Sequence, residues 1–238
     1  TRFDTRQDGA NSGFALVSDS TPLAAPDSPK ALTYSQEAWE QSASLKEEEF
    51  TRAVALGLFD YLRKSASRGA VVSLSGGADS SAVCCLLSLM CSLGVKELGR
   101  EAFLKRIGRA DLISQALEVR QIVGGILLAV YQSTKNSGPV TLDAAQKLAQ
   151  HLGAEFHRVD VESLVQGYSA LAAQAEGREL NWTSDDLALQ NIQARARGPL
   201  VWFLANLRGF LLLSTSNRSE AAVGYATMDG DTCGGLSP

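Results

Sequence analysis

The chain has 238 residues, 45% hydrophobic and 20% charged, the proportions of one large globular domain with a substantial core. A net charge of −4 gives no electrostatic footprint for nucleic acid, and no stretch approaches the roughly 20 apolar residues of a membrane span. The four cysteines, Cys84, Cys85, Cys91 and Cys233, form no Cys-x-x-Cys pair and no signal peptide is visible, so neither a zinc ribbon nor a dithiol redox site is signalled and a reducing, cytoplasmic setting is expected.

Residues 1–34 are rich in Gly, Ser, Pro and Asp without sustained periodicity, and read as a linker or arm from a preceding domain. Thr1 in place of Met, and a Gly/Ser ending with no closing element, lead to the expectation of a longer parent polypeptide. From Ser35 a helical stretch begins, with Phe50, Val54, Leu58, Tyr61 and Leu62 at helical spacing. Ala70 to Leu74 reads as a buried strand, and Ser81 to Leu87 as a helix carrying Cys84 and Cys85 as buried thiols. Leu86 to about Gln121 is helical in composition, with Lys105, Arg106, Arg109 and Arg120 as basic surface residues. Ile122-Val123 and Gly125 to Val130 read as a second strand, followed by a loop over residues 131–138. Thr141 is placed to cap the next helix, with Asp143 in its first turn and Gly153 at its end. Glu155 to Val161 reads as a third strand, and helices follow over 162–177 and 184–208. Thr183 or Ser184 caps the second of these, and Gly198-Pro199 kinks or splits it. Phe210 to Ser214 is a fourth strand. Strands alternating with helices predict an α/β fold, a doubly wound, mostly parallel sheet, with ligands bound beyond the carboxyl ends of the strands.

Two turns at that edge carry the chemistry. Ser75-Gly76-Gly77-Ala78-Asp79-Ser80 joins the first strand to its helix, and small residues there let backbone N–H groups approach an anion at a helix N-terminus. The loop lacks the Lys of a Walker A motif and carries Asp79 instead, which can hold a divalent metal. The second turn runs from Ser214 to Tyr225. Thr215 can donate to a phosphate or to adenine. Glu220 reads equally as a second metal carboxylate and as a helix-start residue at a favourable dipole position. His151 and His157 read as structural.

The motif SGGxDS after a strand resembles the pyrophosphate loop of the N-type ATP pyrophosphatases, whose fold is of the adenine nucleotide alpha hydrolase-like type. Within that class three blocks are similar to NAD synthetases: the Ser-Thr turn with Glu five residues after the Thr, the helix Asn191-Ile192-Gln193-Ala194-Arg195-Ala196-Arg197, and Tyr131 to Asp143 as a second ATP-binding loop. The run Asn217 to Tyr225 looks closest to the large glutamine-dependent bacterial members. The resemblance covers about Glu49 to Pro238. It implies that Ser75, Gly76, Gly77, Ala78, Asp79, Ser80 and Thr215 bind ATP. It further implies that Asp79 and Glu220 hold Mg²⁺, and that Asn191, Arg195 and Glu220 face deamido-NAD. The implied reaction is ATP-dependent amidation of deamido-NAD through an NAD-adenylate, releasing AMP and pyrophosphate, with no side-chain nucleophile. Ammonia would come from glutamine through a glutaminase domain of the same polypeptide, and the assembly would be a homo-oligomer, with the apolar helix 200–207 as a candidate contact. Two features depart from the family: Met228 stands where many members carry a substrate-contacting Lys, and Asp231 is the nearest substitute for a further acidic residue. Other ATP pyrophosphatases (GMP synthetase-like or tRNA-modifying) and a non-catalytic nucleotide-binding module are the rival readings.

Overall fold

The sheet is set by two strands whose residues are apolar on both faces. In a computed structural model, which describes residues 36–115, 117–224, 229, 230 and 232–238, strands β1 (Ala70–Ser73), β2 (Leu127–Ser133), β3 (Glu155–Asp160) and β4 (Leu211–Leu213) pair in the order β3-β2-β1-β4, all parallel. Such a sheet needs cover on both sides, which explains why β1 and β2 are near-continuous hydrophobic runs. Alternate residues feed two cores. Ala70, Val72, Leu127, Ala129 and Tyr131 pack under helices α1 (Leu45–Ser65), α2 (Ala78–Leu98), α3 (Arg100–Arg106), α4 (Val119–Ile126) and α5 (Pro139–Leu152). Val71, Leu128, Val130 and Leu212 pack on the other face under Val201 and Ala205 of α8 (Gly198–Arg208). Helices α6 (Glu162–Glu176) and α7 (Asp186–Arg195) precede α8, and α9 (Arg218–Val223) follows β4. Residues Trp39–Pro238 make one compact unit. The expected arm over 1–34, Ser35, Met228 and Asp231 lie outside the described residues.

The doubly wound α/β expectation holds, and several local expectations do not. Ile122 and Val123 belong to α4, not to a strand, and the second strand starts at Leu127 and runs on through Tyr131, Gln132 and Ser133. No turn separates α4 from β2: its C-cap, Leu127, already has extended φ −119° and ψ 115°. An unbroken apolar run therefore hid the junction. Helix α5 begins at Pro139 behind Gly138, so Thr141 lies inside the first turn, its hydroxyl donating to the Gly138 carbonyl (3.0 Å) and meeting the Tyr131 hydroxyl (2.8 Å). Gly153 does end α5, in the left-handed conformation. The stretch 184–208 divides into α7 and α8 at Gly198-Pro199, as expected, but Asp185 rather than Thr183 or Ser184 opens α7. Asp185 is held there by Arg178 (2.7 Å), while the Asn181 side chain accepts from the Thr183 and Ser184 amides. In α1 the inward residues are Ala55, Leu58 and Leu62; Phe50 and Tyr61 are exposed. The C-terminal segment is tied down: Ser214 N donates to Leu236 O and Gly235 N to Leu212 O (2.8 Å each), so Leu236 bridges along the free edge of β4.

Helix α2 is long and apolar enough to cross a membrane by length and composition, contrary to the expectation from sequence. Its place in this fold accounts for that composition: Val83, Cys84, Leu87, Met90 and Cys91 face the core. Burial pushes the Cys84 thiol up to about 12 and raises that of Cys91 further. Cys85, one residue round the helix from Cys84, is exposed rather than buried. Arg109 is not a surface decoration. It is 6% exposed, and its guanidinium bonds to Asp111 (3.1 Å) and to the carbonyls of Arg68 (3.0 Å) and Gly125. It thereby ties the loop before β1 to α4.

Candidate active site

The turn after β1 is built by its own small residues. Leu74 N donates to Val130 O (2.9 Å), which carries the strand ladder one residue beyond β1. The Ser75 hydroxyl accepts from Gly77 N (3.2 Å) and meets the Ser80 hydroxyl (3.1 Å), while the Ser81 hydroxyl donates to Gly77 O (2.6 Å). Ser80 is buried and Asp79 exposed. Gly77 is the N-cap of α2 and offers no side-chain acceptor, so the first-turn amides that follow it have no side-chain cap. Gly76 has φ +83°, and a Cβ there would lie 2.3 Å from Thr141 O. Only glycine lets the loop rest on the first turn of α5.

A cleft of about 290 Å³ opens beside this loop, with Ser75, Tyr131, Gln132, Thr141, Arg197 and Thr215 in its wall. It lies past the ends of β1, β2 and β4, where α8 begins. Thr215, two residues beyond β4, comes from the neighbouring strand of the Ser75–Ser80 loop. Asn217 then caps α9, its side-chain oxygen accepting from Glu220 N (2.8 Å), which fixes Glu220 in the first turn. Asp79 stands in the equivalent turn of α2.

The NAD synthase family model matches residues 50–238. The chain belongs to the NAD synthase family. It is 36% identical over 193 residues to a glutamine-dependent NAD(+) synthetase of Aquifex aeolicus, covering 81% of this chain and 28% of that protein. It is 33% identical over 205 residues to the human glutamine-dependent NAD(+) synthetase, covering 76% of this chain and 28% of that protein. Among solved structures, a glutamine-dependent NAD(+) synthetase from Cytophaga hutchinsonii superposes with a TM-score of 0.76 at 46% identity, over 81% of this chain and 35% of that one. The synthetase from Acinetobacter baumannii in complex with ADP superposes with a TM-score of 0.58 at 26% identity, over 80% of this chain and 29% of that one. The chain thus spans 28% of the length of these curated relatives.

Within this NAD synthase domain, the residues singled out in sequence fall into three groups. Ser75 and Thr215 share the cleft wall. Asp79 and Glu220 are not in that wall; they stand on the first turns of the two helices leaving adjacent strands, β1 and β4. Their carboxylates have no hydrogen-bond or ion-pair partner among the described residues. Two such carboxylates, with only oxygen donors to offer, suit a hard divalent cation that completes its shell with phosphate and water. Among the described residues no group of three His, Cys, Asp or Glu side chains forms a self-sufficient metal site. Asn191 and Arg195 lie on α7, and Arg195 borders a separate hollow with Tyr168, Pro199 and Trp202. His151 and His157 are both outside the cleft wall, and His157 pairs with Glu155 (2.9 Å).

Two cleft residues carry no role in the sequence reading. Arg197 reaches the Gln193 carbonyl (2.8 Å) and the Gln132 carbonyl (3.4 Å), joining α7 to the end of β2. Gln132 is 5% exposed, and its Oε1 has no hydrogen-bond partner among the described residues. Leaving such an acceptor buried and unpaired costs about 1–3 kcal/mol. A polar side chain inside a run otherwise buried on both faces was the available signal; assigning residues 131–138 to a loop removed it.

Proposed function

We propose that this domain catalyses ATP-dependent amidation of deamido-NAD to NAD. The observation that carries this reading is the convergence of the Ser75–Ser80 turn and the Thr215–Glu220 turn at one sheet edge, from two strands that are hydrogen-bonded neighbours. A carboxylate is a poor acyl electrophile because its leaving group would be oxide. Attack by the deamido-NAD carboxylate oxygen on the α-phosphorus of ATP forms the acyl–phosphate bond and breaks the bond to pyrophosphate. Ammonia then attacks the acyl carbon, AMP leaves, and the nitrogen gives up a proton. No protein nucleophile enters the balance. The protein aligns two bound nucleotides and stabilises charge at phosphorus.

In this reading the first-turn amides of the α2 N-terminus cradle the departing phosphates, Ser75 and Thr215 position ATP, and Gly76 keeps the cradle against α5. Asp79 and Glu220 would hold Mg²⁺, which supplies neutralisation of phosphate charge when bound. Asn191, Arg195 and Glu220 face deamido-NAD. The full-length relatives are named glutamine-dependent, so we assign the nitrogen source to a glutaminase domain in the same polypeptide. The outward face of α8, with Phe203 61% and Leu207 66% exposed, supports self-association.

The test is to incubate the protein with ATP, Mg²⁺, deamido-NAD and ammonium and to measure AMP, pyrophosphate and NAD. AMP and NAD should appear in equal amounts and only when deamido-NAD is present. AMP release independent of deamido-NAD, or none with any nitrogen source, overturns the reading.

A further inference from the structure

We propose that Gln132 selects the base of the bound nucleotide, its side-chain carbonyl accepting a hydrogen bond from an exocyclic amino group, the 6-amino group in ATP. This rests on the reading of the cleft as an ATP site. Gln132 continues the face of β2 that carries Leu128 and Val130, and lies one step past the part of that face covered by Val201 and Ala205. An apolar residue there would extend the core. The chain instead places a carboxamide at the point where the covered face becomes the wall of the cleft.

The geometry of the amide narrows the ligand group. Its Nε2 donates to Ser73 Oγ (3.2 Å) on the neighbouring strand. That bond uses one of the two Nε2 hydrogens and holds the plane of the amide. The remaining end, Oε1, is the one buried side-chain polar atom without a partner among the described residues. It can only accept. ATP offers two kinds of neutral donor, the ribose hydroxyls and the adenine amine. A hydroxyl both donates and accepts and would pair with either end of an amide that was free to turn. A hydroxyl can satisfy Oε1 alone, whereas a base amine beside a ring-nitrogen acceptor satisfies Oε1 and also takes the second Nε2 hydrogen. Gln is also one of the two side chains whose amide geometry matches the amine edge of adenine. The cleft provides the rest of the fit. Leu74, Val201 and Leu213 give apolar surface for a planar ring, and Ser75 begins the phosphate loop on the same wall. A nucleotide with its phosphates on that loop extends its base along the strand ends toward Gln132.

The experiment is direct binding to the full chain by titration calorimetry in the presence of Mg²⁺, with ATP and with inosine triphosphate, which carries a 6-oxo group in place of the amine. The wild-type protein is expected to prefer ATP. Gln132→Met, close in shape and without the acceptor, should weaken ATP by about tenfold and leave inosine triphosphate unchanged, so that the preference collapses. Ser73→Ala, which frees the amide to turn, should reduce the preference in the same direction and guards against a folding defect in the first variant. 2′-Deoxy-ATP should follow ATP through the series. An equal loss for both triphosphates, an unchanged preference in both variants, or a wild-type preference for inosine triphosphate overturns the role of Gln132 while leaving the ATP site standing. Failure of the wild-type chain to bind either triphosphate overturns the ATP reading itself, and the assignment of Gln132 with it.

Discussion

Single residues at the strand ends are constrained more tightly than their exposure suggests. Gly76 is the sharpest case, because its φ of +83° and the Thr141 carbonyl 2.3 Å from a prospective Cβ act together. Gly76→Ala should cost about 1–3 kcal/mol in backbone strain alone, lowering the thermal midpoint, and should weaken ATP binding by displacing the loop from α5. A variant with wild-type melting and wild-type affinity would show that the loop does not rest on α5 in solution. Asp79 and Glu220 make a different prediction, since neither carboxylate has a partner to lose among the described residues. Asp79→Asn and Glu220→Gln should leave stability near wild type while reducing pyrophosphate release by about a hundredfold. If they hold one cation, the double variant should be scarcely worse than either single one. Additive losses would separate the two carboxylates.

At the scale of elements, the sequence is most legible where punctuation is strong. Gly153 in the left-handed conformation and the Gly198-Pro199 break were readable because glycine and proline act through backbone geometry alone. The α4–β2 junction was not, because α4 passes into β2 with no intervening turn, and Gly124-Gly125 sit inside the helix where close packing needs them: a Cβ at Gly124 would meet Gly153 O at 2.7 Å. The Ser75–Ser80 turn between β1 and α2 was legible from its small residues. Gln132 was not legible, since its significance depends on a partner strand, on Ser73, and on where α8 stops covering the sheet. Ion pairs between elements escape sequence reading for the same reason. Arg208 of α8 grips Glu155 of β3 through two bonds, at 2.5 and 2.7 Å, and holds its carboxyl below the usual carboxylate range; Arg109 does the same to Asp111. A carboxylate with a folded pKa below its unfolded value binds protons more readily when unfolded. Its contribution is fully present above the unfolded pKa near 4 and is lost as pH falls through the folded one. Stability should therefore decline below about pH 5, and Glu155→Gln should flatten that decline in urea midpoints measured between pH 7 and 3. Both carboxylates are more than a third exposed, 38% and 44%, so added salt should shrink the difference between variant and wild type.

For the molecule as a whole, the decisive property is that β1 and β2 belong to both cores. Val72 faces one side and Val71 the other, and the same alternation runs along Leu127 to Val130. Neither layer of helices can leave without exposing strands that the other layer also needs. The two layers should consequently unfold together, although they bury quite different amounts of apolar surface. Phe103 makes a suitable probe on the larger side: it is fully buried, stacks on Phe59 at 5.9 Å, and its ring lies 2.4 Å from a prospective Cβ at Gly94. Phe103→Ala should cost about 3–5 kcal/mol. On the opposite side, Val201→Ala should cost about 2 kcal/mol. With Trp39 and Trp182 replaced by Phe, fluorescence reports Trp202 of α8 alone, on the face away from Phe103. If the sheet couples the layers, Phe103→Ala shifts the urea transition seen at Trp202 by as much as the one seen in far-ultraviolet circular dichroism, and the two curves stay superimposed in every variant. A Trp202 transition that ignored Phe103→Ala would mean that the layer bearing the cleft holds together by itself, and that the central strands do not transmit stability across the sheet.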